Sequence, residues 1–123
     1  NHALVVHGQD GLDEISLSRN TNVAELKDGI IKEFVFNPRD YGYEYINNSD
    51  IQGGDAEYNA GKFIEMLNGE NINFQRIVEL NAGATLYLSK KSKNLKEGFK
   101  LARYVIEQKI SKNFLEKIIS NNE

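Results

Sequence analysis

The sequence contains no cysteine and no tryptophan, a single proline and only two histidines. Without cysteine there can be neither a disulfide frame nor a thiolate metal site, which suits a cytoplasmic setting. His2 and His7 are too few for an imidazole metal cluster, and His7, at a strand end, is expected to be a hydrogen-bonded core residue. No apolar run approaches the roughly 18 residues needed to cross a bilayer. The opening Asn1-His2-Ala3 has neither a basic segment nor an apolar leader, so no signal peptide and no membrane partner are expected. Positive charge is also scarce: 15 Lys and Arg against 18 Asp and Glu leave a net charge of -3. That balance argues against a general nucleic-acid binder. A chain of 123 residues has room for one domain and its core. It shows no internal repeat, low-complexity segment or linker.

What is present is organised around residues 5–14, VVHGQDGLDE. Ala3 to Val6 is a short apolar run of strand type. It stops at Gly8, and Gly11 follows closely; two such glycines permit backbone with positive φ and close approach of a ligand. The adjacent carboxylates Asp13 and Glu14 come next. In a regular strand they would point to opposite faces, so a turn is required to aim both at one ion. A bent loop at a strand's C-terminal end supplies that turn, at the place where open α/β sheets bind ligands. Magnesium fits such a pair, because it takes oxygen ligands through one or two carboxylates together with substrate phosphates. On spacing alone, however, an Asp-Glu pair in a loop reads first as a solvated acidic turn.

The following residues read as a short antiparallel meander. Ile15-Ser16-Leu17 alternates, Val23 to Leu26 is a second strand, and Lys27-Asp28-Gly29-Ile30 carries an Asp-Gly hairpin signal. A third strand spans Ile30 to Phe36 and ends at Asn37-Pro38. Tyr41, Tyr43 and Tyr45 at period two form either a stacking platform or a packed face with wet hydroxyls; packing is favoured.

Four helices follow. Asp55 reads as an N-cap with Glu57 in the first turn, and Ala60, Phe63, Ile64 and Leu67 form the apolar stripe closed by Asn68-Gly69. The second helix runs from about Asn73 to Ser89, with Phe74, Ile77, Val78, Ala84 and Leu88 on or near one face. Asn81 falls inside that stripe and must be hydrogen-bonded, to a neighbouring backbone or to a ligand. Ala82-Gly83-Ala84 leaves a strip where another element can approach closely. Asn94 with Glu97 resembles a capping box for a helix buried through Leu95, Phe99, Ala102 and Ile106. Gly98 inside that helix implies a close contact. Ser111 is expected to cap the last helix, carrying Leu115, Ile118 and Ile119 before an Asn121-Asn122-Glu123 tail. Lys90, Lys91, Lys93 and Lys96 cluster at a helix end, where solvation and the helix dipole suffice to explain them.

The string Val5-Val6-His7-Gly8, continued by Asp10-Gly11-Leu12-Asp13-Glu14, is joined in order by Leu80-Asn81-Ala82-Gly83-Ala84-Thr85-Leu86-Tyr87 and Leu95-Lys96-Glu97-Gly98-Phe99-Lys100-Leu101-Ala102. Together they resemble the C-terminal part of the anthranilate phosphoribosyltransferase family. The resemblance implies the C-terminal part of a nucleoside-phosphorylase/phosphoribosyltransferase-like α/β domain, α+β as it stands here. It implies a glycosyltransferase that moves phosphoribosyl from phosphoribosyl pyrophosphate to anthranilate in tryptophan biosynthesis. Asp13 and Glu14 match the pair that helps hold Mg2+ against the diphosphate. The family's upstream helical domain and its glycine-rich phosphate loop are not in this sequence. Gly53-Gly54-Asp55 lies on the wrong side of the Asp-Glu pair to replace that loop. A fragment inactive alone is therefore expected, associating with further copies. A truncated relative serving as a non-catalytic interaction module and a pyrimidine-nucleoside-phosphorylase-like domain are the alternatives.

Overall fold

A computed structural model describes residues 1–121; of the expected tail, Asn122 and Glu123 lie outside the described residues. Three strands come first: β1 (His2–Gly8), β2 (Thr21–Lys27) and β3 (Ile30–Phe36). Two single 3-10 turns, Pro38–Tyr41 and Asn48–Ile51, lead into α1 (Ala56–Asn68), α2 (Ile72–Leu88), α3 (Leu95–Glu107) and α4 (Ile110–Ser120). The antiparallel meander and the four helices are those the sequence pattern implies.

The sheet has the order β1-β2-β3 and is antiparallel throughout, with Val6 opposite Val23 and Val23 opposite Phe34. Asp28 and Gly29 both take positive φ, 52° and 81°, the two-residue hairpin geometry that matches strand twist. Strand alternation sends Leu4, Val6, Val23, Phe34 and Phe36 to one face, where they join Ile15, Leu17, Tyr43, Ile77, Leu80, Ala84 and Phe99 in the main core. Val5, Ile31 and Val35 point the other way and stay exposed. A smaller cluster of Met66, Leu67 and Ile106 holds α1 against the other helices.

Helices α2 and α3 cross through their backbones. A Cβ on Gly83 would lie 2.6 Å from the amide nitrogen of Phe99, and one on Gly98 would strike the carbonyl oxygen of Gly83. Both glycines are therefore contact residues, as the small-residue strip suggests.

Several local expectations need correction. His7 is exposed rather than buried, because alternation from inward-facing Val6 turns it to the outer sheet face. Phe63 and Ile64 of α1 are also largely exposed, and only Met66 and Leu67 of that helix are buried. The apolar spacing was right for a helix, but α1 is buried chiefly through its last turn. The last helix is not capped by Ser111. Lys109, two residues earlier, holds the cap position at φ 58°, with no side-chain cap. Ile15-Ser16-Leu17 is buried but forms no strand.

Candidate metal centre

The loop between β1 and β2 begins with a tight backbone knot. The Gly8 amide donates to the Leu12 carbonyl (2.8 Å), the Gly11 amide donates to the Gly8 carbonyl (2.9 Å), and Gly11 takes φ 95°. A Cβ at Gly8 would press on the Asp10 carboxylate. The first glycine thus makes room for Asp10, and the second supplies a left-handed turn.

Asp10 organises the loop from within. Its carboxylate accepts hydrogen bonds from Ser16 Oγ (2.6 Å), from Ser18 Oγ and from the Leu12 amide (3.3 Å). Burial pushes its pKa up, but these bonds to the charged form outweigh that effect and hold it below the usual carboxylate value. Ser16 Oγ in turn accepts from the amides of Ser18 and Arg19. The Ser16 amide donates to Thr21 Oγ1 (2.9 Å). Tyr45 closes the far end of the loop, its hydroxyl donating to Asn20 Oδ1 (2.6 Å).

Asn81 pins the loop from outside. Its Oδ1 accepts from the Ile15 amide (2.9 Å), while Nδ2 donates to the carbonyls of Ile15 (3.0 Å) and Ile77 (3.1 Å). The side-chain amide therefore pairs with both backbone groups of Ile15, as a neighbouring strand would. Asn81 is half-buried, and of the two roles expected for it, bonding a neighbouring backbone or a ligand, the structure shows the backbone partner.

Asp13 and Glu14 sit between these two anchors. Both are exposed, and among the described residues neither side chain takes part in a hydrogen bond or ion pair. Partial burial, and secondarily the charge of Asp13, raise the pKa of Glu14. The donor chemistry suits a hard cation: two adjacent, unspent carboxylates whose repulsion a metal would relieve. No group of three or more His, Cys, Asp or Glu side chains is placed to hold a metal among the described residues.

The other features singled out by sequence do structural work. Tyr41 stacks on Phe36 with centroids 4.9 Å apart, and both Tyr41 and Tyr43 meet Phe99 edge-on. The Tyr43 hydroxyl donates to buried Glu79 (3.1 Å), which also pairs with Arg103 (3.0 Å) and accepts from Gln75 (2.9 Å). At the start of α1, Asp55 accepts from the Tyr58 amide, while Asn59 exchanges two hydrogen bonds with the Gly54 backbone. Those N–H groups are spent within the chain, which fits reading Gly53-Gly54-Asp55 as a helix start. The lysines of the α2–α3 turn are exposed. Sequence reasoning missed the roles of Asp10, Ser16 and Ser18. Their spacing has no helical or strand period, so no periodicity could reveal them.

Comparison with known proteins gives the family. The family model described as "Glycosyl transferase family, a/b domain" matches residues 1–109. The anthranilate phosphoribosyltransferase of a Thermoanaerobacter species is 43% identical over 117 residues, which is 95% of this chain and 35% of that protein. The anthranilate phosphoribosyltransferase of Methanobrevibacter smithii is 41% identical over 117 residues, again 95% and 35%. Among solved structures, that of the Thermus thermophilus enzyme superposes with a TM-score of 0.83 at 32% identity, covering 97% of this chain and 35% of the other. The Saccharomyces cerevisiae enzyme in complex with PRPP and Mg gives 0.78 at 26% identity, covering 94% and 33%. The chain thus spans about a third of the length of the relatives it matches. It belongs to the glycosyl transferase family, and its matched residues are that family's α/β domain.

Proposed function

We propose that this chain is the C-terminal portion of the α/β domain of an anthranilate phosphoribosyltransferase, and that Asp13 and Glu14 are its magnesium ligands. The observation that carries the reading is the pair of sequence-adjacent, exposed carboxylates, free of side-chain hydrogen bonds among the described residues, on a braced loop in a chain of this family. The transfer makes a bond from the anthranilate amine to C1 of the ribose, breaks the bond from C1 to diphosphate, and releases one proton from the amine to solvent. Magnesium, when bound, neutralises the charge gathering on the departing diphosphate. Asp13 and Glu14 would hold that ion, and the Asp10 network and Asn81 brace the loop on either side of the pair. The whole task is positioning and charge compensation, so a nucleophilic side chain is not required.

Two carboxylates do not make a phosphate site. Binding a diphosphate needs several N–H donors and cations converging on it, each charge-assisted bond worth roughly 1.5–3 kcal/mol. Residues 1–123 alone should therefore show no saturable binding of phosphoribosyl pyrophosphate below millimolar concentration. The test is a chimera in which this chain replaces the matching third of the Thermoanaerobacter enzyme. It should form phosphoribosyl anthranilate and release diphosphate. Asp13→Asn or Glu14→Gln in the chimera should lower turnover by at least about tenfold, partly restored by raised magnesium. Unchanged kinetics in both variants would reduce the pair to a surface turn. Product formed by the isolated chain would mean that a phosphate site lies within it.

A further inference from the structure

Asp13 and Glu14 have no brace of their own, so their placement depends on the residues flanking them. On the N-terminal side, the Leu12 carbonyl and amide are engaged by Gly8 and Asp10. On the C-terminal side, Ile15 is engaged at both its N–H and its C=O by one side chain, that of Asn81 on α2. Sixty-six residues separate these partners. The bond from Nδ2 to the Ile77 carbonyl fixes the amide's orientation, so that Oδ1 faces the Ile15 N–H.

We propose that Asn81 is a positioning residue for the metal site: it holds the Asp13-Glu14 turn in the geometry that lets both carboxylates meet one cation. This rests on the magnesium reading above. Asn81 spends two of its three side-chain bonds on the residue immediately after Glu14, and so fixes the backbone at the C-terminal edge of the pair. An adjacent pair can share an ion only if the turn is kept from relaxing into extended backbone, where neighbouring side chains diverge. Asn81 ties that turn to α2, whose Ile77, Leu80 and Ala84 lie in the main core.

The inference is tested on the whole chain with Mn2+ as probe, by following paramagnetic broadening of backbone amide resonances. In the natural sequence, broadening should centre on Asp13 and Glu14 and saturate with Mn2+. Asn81→Ala should weaken the apparent Mn2+ affinity by at least about fivefold and speed hydrogen exchange at the Ile15 amide. Asn81→Gln, which keeps the amide but extends it by one carbon, should also weaken it, and serves where Asn81→Ala does not fold. Ile106→Ala supplies a comparison, because it loosens the smaller core of Met66, Leu67 and Ile106, to which no loop residue belongs, and should leave Mn2+ affinity unchanged. Loss of affinity in Ile106→Ala equal to that in the Asn81 variants would overturn the proposal, since stability alone would then explain both. So would wild-type affinity in Asn81→Ala and Asn81→Gln while Asp13→Asn with Glu14→Gln abolishes the signal. If that double variant instead keeps the full signal, the magnesium reading itself falls and the role of Asn81 falls with it.

Discussion

The carbonyl oxygen of Gly83 on α2 occupies the space that a side chain on Gly98 of α3 would need. Each helix therefore carries a glycine for the other, and the hydrogen at each Cα is the largest group the crossing admits. Gly98 has no positive φ to explain it, so its cost within a helix, roughly 1 kcal/mol against alanine, is offset by contact alone.

Gly98→Ala should therefore destabilise the chain despite alanine's better helix propensity. Overpacking of this kind costs about 1–3 kcal/mol or more, and the clash is with backbone, which cannot rotate away. Urea unfolding should show a lower midpoint with an unchanged slope. A midpoint at or above that of the natural sequence would mean that the helices separate more easily than their contact suggests.

Glu79 is only 1% exposed and is met by Tyr43, Gln75 and Arg103. Removing the cation by Arg103→Met leaves a buried carboxylate with neutral partners. Breaking a buried pair usually costs about 3–5 kcal/mol. Arg103 is 43% exposed, so solvent screening reduces the expected loss to about 1–3 kcal/mol. Adding Glu79→Gln should recover part of it. A double variant as unstable as the sum of the two singles would show that the charges do not interact.

The fold was largely legible because it rests on local rules. The Asp28-Gly29 hairpin, the Asn94 cap and the Gly69 terminus each announce themselves in a few residues. Exposure was not legible. Phe63 and Ile64 carry a helical apolar period, yet α1 packs chiefly through Met66 and Leu67. The candidate site was half legible. Asp13 and Glu14 stand out as neighbours and by resemblance, whereas Asp10 with Ser16 and Ser18 is a network closed by a loop path that no period describes. The partner of Asn81 was hidden for a related reason: a buried polar group demands a bond, but only the fold says with whom.

Tyr43 makes alkaline stability informative. Burial, reinforced by the nearby negative charge of Glu79, pushes its pKa up to about 12. An unfolded tyrosine loses its proton near 10, so the unfolded state releases it first. The stabilisation is complete below about pH 10 and is lost progressively as pH rises towards about 12. Unfolding free energy measured across that window should fall more steeply for the natural sequence than for Tyr43→Phe. Parallel curves would mean that Tyr43 ionises in the folded chain as readily as in water.

The outer face of the sheet carries the last expectation. Val5, Ile31 and Val35 are 71%, 67% and 55% exposed on that face, with β1 and β3 at the sheet's edges. Exposed apolar side chains on strands at a sheet's edges favour association. Sedimentation of the chain at high concentration should therefore give a mass above the 14.0 kDa of one copy. Val5→Lys together with Val35→Glu should restore the single-copy mass while leaving the helical signal unchanged, because neither side chain enters the core. A natural chain that sediments as one copy at every concentration would show that this face stays wet on its own. Association that persists in the double variant would move the contact elsewhere, with exposed Phe114 of α4 the next residue to replace.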